Sequence, residues 1–84
     1  MRKKLEKLDD KLKQVLMEYF GKEYAQKITF DAGMDTIDKW DSLSFVGLVV
    51  HLEKSFKTKF QHNEMPLLQT VKGIQNILLN KNLL

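Results

Sequence analysis

Apolar residues recur along the first part of the chain at Leu5, Leu8, Leu12, Val15, Leu16, Tyr19 and Phe20. At helical pitch they fall within one arc, with Lys4, Asp10, Lys13 and Met17 elsewhere. That pattern predicts an amphipathic first helix, with Gly21 as its stop signal. The period then fails. Between residues 22 and 40 the apolar residues Tyr24, Ile28, Phe30, Met34, Ile37 and Trp40 are scattered, and Asp31, Gly33, Asp35, Thr36 and Asp38 break any repeat. A long loop is expected here, with a helical turn around Glu23 to Gln26. Loops of this length inside a compact domain are uncommon and usually functional, and this one carries enough apolar residues to pack on the core.

Helical periodicity returns at Asp41-Ser42, where aspartate is a strong N-cap, and runs to Phe56 before Lys57, Thr58 and Lys59 mark the exit. On this second helix Phe45, Leu48, Val49, Leu52 and Phe56 define the main buried side, with Val46 at its edge. Leu43, Gly47, Val50 and Lys54 lie together on another side, with Ser44 and His51 beside them. Leu43 and Val50 thus have no assigned place in the core. They read either as a docking face or, for Val50, as part of a broader core. Residues 61–69 form a short helix in which Pro66 sits in the first turn if His62 or Asn63 is the cap. Thr70 caps a last helix with Val71, Ile74, Ile77 and Leu78 on one face, and the tail after Asn80 is expected to fray. The expected fold is all-α: a small antiparallel bundle of three main helices plus one short helix, with a long loop between the first and second.

Eighty-four residues make one domain, 1–84, and a chain of this size buries only about 60–65% of the surface its unfolded form exposes. The absence of cysteine removes disulfides, thiol nucleophiles, zinc–cysteine sites and iron–sulfur clusters. Phe45 to Val50, the longest apolar stretch, is interrupted by Gly47 and is too short to span a bilayer. The basic start is followed by no uninterrupted apolar stretch and no small-residue cleavage site, so a cytoplasmic protein is the expectation. The formal net charge of +3 is unevenly placed: residues 21–41 carry three basic and five acidic side chains, whereas residues 42–60 have a net charge of +2. Arg2 is the only arginine, a poor composition for base-edge readout of DNA. The lysines at 3, 7 and 11 are interleaved with Glu6, Asp9 and Asp10, as on a solvated helix face. No nucleic-acid partner is expected.

Catalytic candidates are few. His51, expected on the exposed side of its helix, and His62, at a helix start, have no nucleophile or metal partner at a suitable spacing. Asp31, Asp35, Asp38 and Asp41 are spaced by four, three and three. A calcium loop would end in a bidentate glutamate, and none lies between Glu23 and Glu53, so no metal is expected. No glycine-rich phosphate cradle exists, and the chain does not read as an enzyme. Ser42 stands out. It follows a capping aspartate at the N-terminus of the most apolar helix, where the macrodipole and free N–H groups favour an attached phosphate. By itself this is also what an ordinary capping pair looks like.

The run Trp40-Asp41-Ser42-Leu43-Ser44, followed by Val46, Leu48, Val49, Leu52, Glu53 and Phe56, resembles the acyl carrier protein family. There an Asp-Ser-Leu motif opens the second helix, and its serine carries a 4′-phosphopantetheine arm derived from coenzyme A. Phe60 followed by a short helix and Thr70-Val71 opening the last one extend the resemblance over nearly the whole chain. It implies Ser42 as the covalent attachment site, Asp41 as the neighbour that helps the modifying transferase, and Leu43 as an apolar contact for transferase and partners. Val46, Val49, Leu52 and Phe56 would face the core. The implied protein is a monomer that holds an acyl or aminoacyl group as a thioester and serves a phosphopantetheinyl transferase and acyl-loading and acyl-transferring enzymes.

The chain departs from the family on the side bearing Leu43, Ser44, Gly47, Val50 and Lys54, the expected docking face. In typical fatty-acid carriers this side is strongly acidic; here Ser44, Gly47 and Lys54 replace those acids. A glycine inside a helix costs up to about 1 kcal/mol relative to alanine, which suggests close approach by a partner at Gly47. Trp-Asp-Ser-Leu resembles stand-alone carriers of specialised pathways such as polyketide, nonribosomal-peptide or surface-lipid assembly, with housekeeping fatty-acid synthesis as the second possibility. The competing reading is a carrier-like interaction module that is never modified.

Overall fold

The computed structural model describes residues 7–84. Three α-helices carry the fold: α1 (Asp10–Phe20), α2 (Ser42–Phe56) and α3 (Val71–Asn80). Two 3₁₀ segments join them, a short one at Lys22–Tyr24 and a longer one at His62–Gln69. There is no strand among the described residues, so the architecture is all-α. None of the described helices is long and apolar enough to cross a membrane.

The first helix starts later than its apolar period predicts. The Asp9 carboxylate accepts from the backbone N–H groups of Lys11 and Leu12 and caps α1 at Asp10. Upstream, the buried Gln75 side chain of α3 accepts from the Asp9 N–H at 2.8 Å and donates to the Lys7 carbonyl at 2.9 Å. Backbone held from the side in this way cannot continue the helical ladder, so Leu8 packs on the core from outside the helix. Leu5 and Lys3 lie outside the described residues. At the other end Gly21 adopts φ 109°, which favours glycine, and its N–H closes on the Met17 carbonyl.

Contacts between α1 and α2 fix their mutual direction. Tyr19 meets Ser44, Val15 meets His51, and the Lys11 ammonium lies 5.2 Å from the Phe56 ring centre. Ascending numbers on α1 meet descending numbers on α2, so this pair is antiparallel. Leu12, Val15, Leu16 and Phe20 of α1, Leu48, Val49, Leu52 and Phe56 of α2, and Val71, Ile74, Ile77 and Leu78 of α3 form one buried cluster.

The long loop joins that cluster. Ile28, Ala32, Ile37 and Trp40 are all buried. An antiparallel bridge between Gly33 and Thr70 pins the middle of the loop to the start of α3, through Met34 N–H to Gln69 O and Val71 N–H to Ala32 O. The loop thus delivers Trp40 against Phe20, ring centres 5.5 Å apart, immediately before α2.

Two further expectations change. The segment around Pro66 is capped by Gln61, not by His62 or Asn63, with reciprocal bonds between Gln61 and Glu64. Pro66 therefore lies inside the 3₁₀ segment and not in its first turn. The tail after Asn80 does not fray: Asn82 takes a left-handed conformation, its N–H bonds Leu79 O, and the Leu83 N–H bonds Leu78 O. This double closure satisfies end carbonyls of α3 and brings Leu83 and Leu84 onto the core.

Candidate functional site

The loop ends and α2 begins at a single tightly bonded turn. Asp41 has extended backbone, and its carboxylate accepts from the Ser44 N–H at 2.9 Å. Ser44 reciprocates, its hydroxyl accepting from the Asp41 N–H at 2.9 Å and donating to the Lys39 carbonyl at 2.6 Å. This capping box satisfies two backbone donors that a helix start would otherwise leave bare. The hydrogen bond from the Ser44 N–H is the largest influence on Asp41 and holds its carboxyl below the ordinary aspartate range.

Ser42 occupies the first position of α2 and is exposed, and its hydroxyl is outside that network. Because Asp41 already takes the Ser44 N–H and leans on that of Leu43, the first turn is not an open cradle for a free anion. The neighbouring Lys39 does not serve it either: its ammonium is turned to the Phe20 carbonyl at 3.4 Å and to Glu23 at 4.0 Å. An exposed hydroxyl on a rigid, capped helix start suits a group attached covalently through that oxygen; it is not built to capture a phosphate from solution.

Directly behind this turn lies a contact between α1 and α2 that the helical pattern does not reveal. The Tyr19 hydroxyl of α1 donates to the Ser44 carbonyl at 2.7 Å. A Cβ on Gly47 would collide with that hydroxyl and stand 3.3 Å from the ring carbon Cζ. The absence of a side chain at Gly47 is thus used inside the molecule, as the notch that admits Tyr19, and needs no external partner to explain it. Ser44 is likewise occupied by the cap. Both were expected on the docking face; the structure gives each an internal role.

His51 also has an internal role. It is half-buried, its Nε2 lies 3.1 Å from the Val15 carbonyl oxygen, and Glu18 Oε1 is 3.8 Å away. A carbonyl only accepts, so Nε2 carries the proton, and the ring ties α2 to α1. His62 is exposed at the start of its 3₁₀ segment. Of the loop aspartates, Asp38 accepts from the Tyr24 hydroxyl at 3.1 Å. No group of three or more side chains able to hold a metal forms among the described residues.

The remaining face of α2 is bare. Leu43 is 86% exposed, Val46 63% and Val50 45%. The open question over Val50 resolves toward the surface, and Val46, expected at the core edge, belongs outside. At helical pitch Leu43, Val46, Val50 and Lys54 form a single stripe directly opposite Leu48, Val49, Leu52 and Phe56. Trp40, buried just before Asp41, has an indole N–H with no acceptor among the described residues. Comparison with protein-family models, curated proteins and solved structures finds no match to this chain.

Proposed function

We propose that this protein is an acyl carrier, modified on Ser42 with 4′-phosphopantetheine and acting by presenting a bound acyl or aminoacyl group to enzymes of a dedicated biosynthetic pathway. The observation that carries the reading is the placement of Ser42: exposed, first in a long capped helix, with an apolar stripe beginning at the next residue. The arm, once attached, supplies a terminal thiol that holds the cargo as a thioester.

The chain's own residues contribute position, not bond-making. On transfer from coenzyme A, the Ser42 Oγ–phosphorus bond forms, the bond from phosphorus to the adenosine bisphosphate leaving group breaks, and the hydroxyl proton passes to the transferase. Asp41 and Ser44 hold the turn that offers this oxygen, Tyr19 braces that turn from α1, and Leu43 offers an apolar grip beside it. A rigid post raises the local concentration of whatever it carries at any active site it docks against.

Intact mass before and after incubation with a broad-specificity phosphopantetheinyl transferase and coenzyme A tests the reading, with Ser42→Ala alongside. The expected result is a gain of one phosphopantetheinyl group that disappears in the variant. A folded protein that gains nothing would transfer the weight to an unmodified interaction module.

A further inference from the structure

The exposed stripe of α2 does not end at Val50. It runs into an open depression of about 460 Å³ lined by Val50, Glu53, Lys54, Lys57, Thr58 and Lys59. Glu53, the one carboxylate among these residues, is already engaged: it accepts from the Phe60 N–H at 2.9 Å and faces the Lys59 ammonium at 3.9 Å. Among the described residues neither Lys54 nor Lys57 has a carboxylate within ion-pair distance. Lys57 stands at φ 54° as the C-cap of α2, a left-handed position that glycine fills more cheaply. The charge it brings there lies at the negative end of the helix dipole, next to those of Lys54 and Lys59. The outer surface of α2 therefore has an apolar run beside Ser42 and a concave, positively charged end.

We propose that this surface docks a protein partner whose binding site is an apolar helix face edged by aspartate and glutamate, with that face over Leu43, Val46 and Val50 and the carboxylates in the lysine-lined depression. Charge complementarity selects that occupant. A lipid surface fits less well, because the stripe offers no aromatic side chain and its apolar groups are short. The inference deepens the carrier reading, since a carrier is gripped beside its attachment point. Its physical basis, the stripe and the lysines, does not involve the arm.

Two synthetic amphipathic helical peptides with the same leucine face, one edged by glutamate and the other by lysine, provide the probe. Each is titrated into the isotope-labelled full chain carrying Ser42→Ala, and backbone amide shifts are followed. The glutamate-edged peptide is expected to shift amides from Leu43 to Lys59 and to bind at least about ten-fold more tightly at low salt, an advantage that shrinks as salt is added. Lys54→Glu with Lys57→Glu should abolish the preference, and Val46→Ser with Val50→Ser should weaken binding of both peptides while leaving the thermal midpoint in place. Equal binding of the two peptides overturns the proposal, as do shifts confined to α1. Shifts along the stripe produced by phosphatidylglycerol vesicles but not by the glutamate-edged peptide would assign the surface to lipid, and concentration-dependent shifts along it without peptide would assign it to a second copy; either overturns the proposal. Because Ser42 is absent from the assay, failed modification with the peptide preference intact would remove the carrier reading alone. Modification without the preference would remove the docking partner alone.

Discussion

The two faces of α2 are built from the same residue types and behave in opposite ways. Leu48, Val49, Leu52 and Phe56 are buried against α1, α3 and the loop, whereas Leu43, Val46 and Val50 lie in water on the reverse side. Exposed valine and leucine are not unusual one at a time; three in a row on one helix face, ending in Lys54 and Lys57 with no ion-pair partner among the described residues, are. Between the two faces, on the side turned to α1, Gly47 lacks a side chain and so admits Tyr19. One face makes the fold, and the other is left available.

The sharpest way to break this comparison is to truncate one residue on each side. Leu52→Ala should cost about 2–5 kcal/mol, because it removes a fully buried side chain and leaves a cavity. Val46→Ala should stay within about 0.5 kcal/mol. Stability of a small domain is about 0.05–0.15 kcal/mol per residue, so the first change removes a large share of the total. Urea unfolding followed through Trp40, the single tryptophan and a buried one, measures both. Equal losses would mean that the outer stripe has an intramolecular partner.

A subtler effect lies at the notch. Gly47→Ala should destabilise the protein with Tyr19 present. In a Tyr19→Phe background the loss should be much smaller, because the closest clash is with the hydroxyl, only the 3.3 Å approach to the ring carbon Cζ remains, and alanine favours the helix by up to about 1 kcal/mol. A double-mutant cycle should therefore return a coupling of about 1 kcal/mol or more; additivity would show that Tyr19 does not occupy the notch. Next in size, Ser44→Ala should cost about 0.5–1.5 kcal/mol through lost cap hydrogen bonds, with amide exchange accelerating at the start of α2 before its middle.

The smallest effect is a titration. The Asp41 carboxyl is held below its ordinary range in the folded state. Its contribution is then complete above the ordinary aspartate value of about 3.9 and is lost as pH falls through the lowered folded value. Asp41→Asn keeps an N-cap acceptor without the titration. The stability difference between the two proteins should accordingly be flat above about pH 5 and change only below about pH 4. A change between neutrality and about pH 5 would point to another group.

Much of this was legible along the chain. The α2 boundaries, the Asp41 cap, the Thr70 cap and the apolar face of α3 follow from local rules, because capping and periodicity are settled within a few residues. The exposed position of Ser42 follows from the same rules. Local rules fail at residues whose partners are distant in sequence. Gly47 and His51 looked available on a helical wheel, yet Tyr19 and Val15 of α1 occupy them. Leu8 matched the helical period, yet Gln75 holds the backbone on either side of it.

By itself, then, the sequence determined the all-α class, the cap that opens α2 and the hydroxyl that this cap presents, since each depends on interactions within one turn. Only the tertiary structure decided that Val46 and Val50 of α2 belong to the surface. A wheel gives angles around one helix but not the directions from which its neighbours arrive. Once α1 is seated through Tyr19 and His51, the Leu43–Val50 side is the one left uncovered.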